Sequence, residues 1–340
     1  MTFKDYNDFV ATLPADALLG SLVWFTISAA SVPLSGVKAD LAARNLSDTH
    51  MRTVIRPVDA FKKASKAAET NLGKQEDGLS SSILVRQVGQ TEDMSHRHVM
   101  LERAHYKAGK RRRLVYEPVG EIVLHRGTKD RKNNTYSGYG IAVKRIDRPD
   151  IDFTPEEEAH IEDALGAGAK VKTAFDHHMH YLDSHAVRSY VRDYVVRSLS
   201  GILVKESGGV YFVPQGHVDE LIRLKEWVAS VGSCMDLTPL VGYDETADML
   251  ATAVVDDIER DVMELGKEVA LILSNPDRSL RTKTYDQFLS RGQEVTNRTR
   301  EYRDLLNNSL TGLDTVLTMM QDHLIDLSDR VENSPLVTSD

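Results

Sequence analysis

Seven apolar residues near the end of the chain, Leu310, Leu313, Leu317, Met320, Leu324, Leu327 and Val331, alternate steps of three and four. With 3.6 residues per turn, that spacing draws one apolar line along an α-helix, the signature of a coiled-coil seam. A helix striped in this way has to bury its line against another helix. An earlier stripe, Leu250, Val254, Ile258, Val262, Leu265, Val269 and Ile272, recurs at helical spacing and stops at Asn275 and Pro276. Phe288, Leu289, Val295, Tyr302 and Leu306 carry the later stripe back toward Tyr285, as one very long helix. Residues 240–332 therefore read as a helical hairpin within the chain or a coiled coil between chains. In the second arrangement the seven seam residues form an oligomerisation surface. The tail, 333–340, is expected to be disordered.

The front of the chain has a different period. Leu22 to Ile27 reads as a buried strand, and Pro57 opens a helix that places Val58, Phe61, Ala64 and Ala68 on one face. Asn71 to Ser82, with its Gly, Ser, Gln and acids, reads as an exposed connection. Ile83–Val88, His96–Tyr106, Arg113–His125 and Tyr139–Ile146 then follow as short apolar runs separated by charged or glycine-containing turns, the pattern of an antiparallel meander. Residues 1–150 are expected to form an α+β domain that ends at Asp147, Arg148, Pro149 and Asp150.

Thr154, Pro155 and Glu157 begin the next part with the makings of a capping box. Ile161 to Leu182 continues as an apolar helix face weakened by Gly166 and Gly168. A helix over His185–Leu199, a hairpin across Gly208 and Gly209, and a helix over His217–Val231 complete a 151–232 unit with the order of a winged helix. The fold class expected for the whole is α+β: an N-terminal antiparallel sheet with helices, this helix, hairpin, helix unit, then the long helices.

Charge separates the same parts. The chain carries a net −9, yet residues 1–150 hold 24 Lys and Arg against 17 Asp and Glu, while residues 151–340 hold 18 against 34. The cations concentrate in two successive turns: Lys107, Lys110, Arg111, Arg112 and Arg113, then Arg126, Lys129, Arg131 and Lys132. Cations on a β-ribbon or its loop suit phosphate contacts, and each phosphate neutralised adds salt-dependent affinity. The plainer reading is a solvated loop whose charges keep a sheet edge from pairing. DNA or RNA is the partner the basic turns point to; the seam points to a second copy or a helical protein partner.

His177, His178, His180 and His185, with Asp176 and Asp183, form a dense cluster in which His177 and His180 are the pair able to share a metal ion. His178, however, falls on the apolar stripe, and the HExxH spacing is absent. Gly73-Lys74 and Gly266-Lys267 lack the rest of a P-loop, and no G-x-S-x-G elbow occurs. No cofactor is expected, and a non-enzymatic role is favoured over the remaining alternative, a metal-dependent enzyme centred on His177 and His180. Cys234 is the one cysteine, so no internal disulfide can form and a reducing compartment, the cytoplasm, is expected. The uncharged stretch between Asp16 and Lys38 is broken by Gly20, Ser21, Thr26, Ser28, Ser31 and Pro33 and is too polar for a membrane span.

Three stretches, Val23-Trp24-Phe25-Thr26, Pro57-Val58-Asp59-Ala60-Phe61-Lys62-Lys63-Ala64 and Gly208-Gly209-Val210-Tyr211-Phe212-Val213-Pro214, together resemble an uncharacterised family of bacteria and their phages. The resemblance implies a context, a phage or mobile-element protein in a bacterial cytoplasm, and no activity. The expected function is non-enzymatic: nucleic-acid binding through the basic turns and self-association through the C-terminal helices, or else docking of a host or phage protein through the seam.

Overall fold

The computed structural model describes residues 14, 17–28, 30–74, 79–91, 93–107, 110–130, 135–205, 209–274, 282–306, 310 and 312–333. After β1 (Leu18–Thr26), β2 (Ser31–Pro33) and α1 (Leu34–Ala43), the chain builds a sheet. Two compact units result, one from Ser31–Val37 and Arg52–Asp183, the other from Met1–Ala30, Lys38–Met51 and Ser184–Asp340. They are called the sheet unit and the helical unit below.

In the sheet unit, five antiparallel strands lie in the order β3 (Thr70–Lys74), β4 (Leu79–Gln90), β5 (Met94–Lys107), β6 (Lys110–Arg126), β9 (Tyr139–Arg145). A small ribbon, β7 (Lys129–Asp130) with β8 (Thr135–Tyr136), sits between β6 and β9 in sequence. Side chains alternate across a strand, so Ile83, Val85, Val99, Leu101, Ile122 and Leu124 all face one side. There they are buried against α2 (Pro57–Ala64), α3 (Pro155–Gly166) and α4 (Gly168–His180). Pro57 stands at the first turn of α2, where its missing N–H costs nothing, and Phe61, Ala64 and Ala68 are buried below it. Gly120 lets α3 approach the sheet: a Cβ there would sit 2.2 Å from Leu165 Cδ2. The strand β10 (Tyr181–Asp183), just after α4, pairs with β2.

The expected capping box is present. Thr154 accepts from the Glu157 amide and Glu157 reaches back to the Thr154 amide. The break that the two glycines imply falls at Ala167, and separates α3 from α4.

The helical unit contains α5 (Ser184–Asp193), which continues as a π-helical turn over Tyr194–Ser198, then β11 (Ile202–Lys205), β12 (Val210–Pro214), α6 (Val218–Ser230) and β13 (Cys234–Val241). Gly209, with φ +59°, supplies the left-handed residue of the β11–β12 turn. The long helices α7 (Asp244–Leu273), α8 (Thr282–Leu305) and α9 (Leu313–Asn333) follow.

Four expectations change. The strand near the N-terminus, β1, joins the helical unit, in a sheet ordered β11-β12-β1-β13. The division of the chain is thus not a single cut after residue 150, because β1 finds its partners, Tyr211–Pro214 and Cys234–Val241, about 200 residues on. The β11–β12 hairpin is correspondingly no free wing, since β12 spends its second edge on β1. Part of the connection read over Asn71–Ser82 is strand: β3 ends at Lys74 and β4 begins at Leu79.

The fourth change concerns the seam. Leu310, Leu313, Met320 and Leu327 are buried in one core with the α7 stripe and with Phe288, Val295 and Tyr302 of α8, and Leu317 and Leu324 pack on its margin. Among the described residues the long helices pack on one another within the chain, three in place of two, with α8 ending at Leu305 and α9 beginning at Leu313. Six of the seven seam residues thus pack within one chain, four of them buried and two partly buried. Val331 lies in α9, but its side chain, like the 334–340 tail, is outside the described residues.

Beside this core, His217 Nε2 lies 2.9 Å from Glu301 Oε1. That hydrogen bond and the carboxylate charge raise the His217 pKa above its ordinary value. Burial pushes the Glu301 carboxyl up, but bonds from His217 and Ser200 outweigh it and hold the group below the carboxylate range. A raised histidine stabilises fully below 6.5 and loses its contribution as pH climbs through the folded value. The denaturation midpoint should therefore fall between about pH 6 and about pH 8, and His217→Gln should flatten that slope; an unchanged slope removes the assignment.

Candidate nucleic-acid interface

The two longest strands, β5 and β6, form one hairpin, and the basic residues sit at its closed end. Tyr106 pairs with Arg111 and Lys107 with Lys110, after a bulge that places Arg112 between registers. Lys107, Lys110, Arg111, Arg112 and Arg113 are thus all strand residues at the tip, not parts of a long loop. The hairpin is anchored at Arg103. Its guanidinium donates to Glu157 (2.8 and 2.6 Å) and Glu117 (3.0 Å), and lies 5.6 Å from the Phe153 ring. From that anchor the tip projects four residues, about 13 Å at 3.3 Å per residue.

Burial pushes the Glu157 carboxyl up, but Arg103, the Thr154 amide and Ser81 together hold it below the ordinary value. It remains a carboxylate beneath the sheet, and keeps Arg103 charged and fixed. Helix capping and the rigidity of the hairpin thus share one residue.

The second basic turn is less uniform. Arg126 is committed inward: it donates to the carbonyls of Thr91 and Met94 and lies 5.4 Å over the Tyr136 ring. Lys129 is in β7, opposite Tyr136. Arg131 and Lys132 are outside the described residues, as are Ala108 and Gly109.

Sequence reasoning missed the sheet face away from the helices. One row crosses four strands there, Arg86 to His98 to Glu121 to Lys144, and Tyr116 and Leu114 follow toward the tip. Arg86, Lys144, Tyr116 and Leu114 are exposed. A strict period of two along β6 would not have found them, because the bulge at Val119 shifts the alternation between Tyr116 and Glu121, and Arg86 and Lys144 lie on other strands.

The histidines do not converge. His177 Nε2 is 3.2 Å from Ser31 Oγ and its ring stacks on Tyr181, whereas His180 Nδ1 bonds the Asp176 carbonyl at 2.7 Å. Asp183 is paired with Lys63. Among the described residues no three His, Cys, Asp or Glu side chains come together as a metal site. In the helical unit a polar cleft of about 440 Å³ lies between the π-helical turn, α7 and α8. Its charges largely answer one another: Arg192 meets Asp193, and buried Arg298 meets Asp257 and Asp261. Burial raises the Asp257 carboxyl above its ordinary pKa despite that arginine.

Fold and surface together define a two-unit α+β protein with a projecting basic hairpin; among the described residues, no helix is long and apolar enough to cross a membrane. The chain belongs to DUF6744, a family of unknown function whose model matches residues 18–333. No curated protein and no solved structure matches it.

Proposed function

We propose that this protein binds nucleic acid through the β5–β6 hairpin of its sheet unit, without a cofactor, in the cytoplasm of a bacterial or phage-infected cell. The observation that carries this reading is the placement of five cations, Lys107, Lys110, Arg111, Arg112 and Arg113, at the end of a ribbon braced by the Arg103–Glu157 pair. Regrouping the charges by unit supports it: the sheet unit holds 23 Lys and Arg against 20 Asp and Glu, the helical unit 19 against 31. An acidic body repels a polyanion and leaves the hairpin as the favourable approach.

Changing Lys110, Arg111, Arg112 and Arg113 to Gln should weaken binding of labelled DNA or RNA. It should also flatten the plot of log affinity against log salt by about 3, since each phosphate contact contributes 0.7 to 0.9 to that slope. Circular dichroism of the variant should match the parent. Equal affinity in parent and variant would overturn the reading.

A further inference from the structure

We infer that the helix-free face of the five-stranded sheet is a platform for single-stranded nucleic acid, on which Tyr116 and His98 stack bases while Arg86 and Lys144 meet phosphates. This rests on the nucleic-acid reading above and adds the substrate class and a second set of residues.

Width excludes the alternative use of the hairpin as a groove reader. A two-stranded β-ribbon fits the major groove of duplex DNA, which is about 12 Å wide and about 8.5 Å deep. Here Lys74, Ser80, Ala104 and Leu114 stand side by side in β3, β4, β5 and β6, so the sheet is four strands wide almost to the tip. Four strands at about 4.8 Å span roughly 19 Å, too broad to enter. β4 still flanks β5 at His105, opposite Leu79. The two-stranded part is only Tyr106–Lys107 with its partners, about 7 Å of ribbon. It can touch a duplex but cannot reach the floor of the groove.

A flat face, by contrast, suits bases that are already unstacked. Single-strand binders combine a basic track for the backbone with rings on which successive bases lie, and stacking is indifferent to sequence because every base has a π-face. The helix-free side has both parts. Tyr116, 46% exposed, occupies the row between the basic tip and the Arg86–His98–Glu121–Lys144 row. Its β5 neighbour Glu102 is four residues from His98, which sets the two rings about 13 Å apart along the strands. Leu114, 40% exposed, extends the apolar surface toward the cations. Two acids lie on this face: Glu121 is hydrogen-bonded to His96 at 2.6 Å, and Glu102, beside Tyr116, is 9% exposed. The opposite side of the sheet is closed by the helices, so one face alone is offered.

The test is fluorescence anisotropy of the full chain with labelled single-stranded DNA, single-stranded RNA and duplex DNA of about 16 nucleotides or base pairs. Both single strands should bind more tightly than the duplex. Tyr116→Ala should weaken single-strand binding by about 5- to 150-fold and leave the salt slope unchanged, because a ring and no cation is lost. Tyr116→Phe should keep the parent affinity. Arg86→Gln with Lys144→Gln should instead flatten the slope by about 1.5. If the duplex binds as well as the single strands and Tyr116→Ala matches the parent, while neutralising the hairpin still weakens binding, the platform is overturned and the hairpin reading stands. If the parent binds none of the three probes, both fall.

Discussion

Replacing Arg103 with Met should destabilise the sheet unit by about 3 to 5 kcal/mol, the cost of leaving a buried carboxylate without its cation. Glu157 is the carboxylate at stake: its side chain is fully buried, and it accepts from Arg103 twice, from Ser81 at 3.1 Å and from the Thr154 amide at 3.0 Å. The length of Met keeps much of the apolar packing against Phe153, so the loss mainly reports the charge. The double variant Arg103→Met, Glu157→Gln should lose much less than the two single losses added, because removing both ions also removes the desolvation that their pairing offset. Denaturant unfolding of the four proteins supplies the cycle; additive losses would mean that the pair is not coupled. The sign with pH also follows. The Glu157 pKa is depressed on folding, so its contribution is present above 4.5 and is lost as pH falls through the folded value. The gap between parent and Arg103→Met should therefore narrow on acidification.

Leu327→Ala should cost about 2 to 5 kcal/mol, the range for truncating a leucine in a filled core. Leu327 is fully buried among α7 and α8 residues of its own chain, as is Leu313, the first residue of α9. The unfolding midpoint of both parent and variant should not depend on protein concentration. Were the seam shared between two chains, mass action would make the midpoint rise with concentration, and the variant would dissociate before it unfolded. A concentration-dependent midpoint restored to the monomer value by Leu327→Ala would sink the intramolecular packing described here.

Much of the secondary structure was legible along the chain. Pro57, the Thr154–Glu157 box and Gly209 are local devices, and each acts where its residue type implies, because a cap or a turn is decided by a few neighbouring backbone groups. The meander was legible as short apolar runs separated by charged or glycine-containing turns, but which residues face inward was not, because bulges in the strands shift the alternation. The candidate interface was half legible. The cluster of cations from Lys107 to Arg113 stands out in composition, but nothing local told Arg126, which turns inward to carbonyls, from Lys110, which belongs to the tip. Arg86 and Lys144 lie 58 residues apart and become neighbours of one row only through His98 and Glu121. No spacing rule connects them.

β13 is the clearest omission. Cys234–Val241 includes Asp236 and Pro239 and has no apolar run, yet it pairs along the whole length of β1. Its strand state is imposed by the edge that β1 presents, a case of tertiary context overriding propensity.

The amino-acid sequence alone determined the local elements, the charge imbalance and the apolar stripes, because each depends on residues within a turn or two of one another. It also required that the α9 stripe be buried. Which surface buries it, which strands flank β1, and which cations share a face were decided only by tertiary structure. An apolar stripe or a strand edge is satisfied by any partner of matching shape, and the choice among partners rests on the summed packing of segments far apart in the chain.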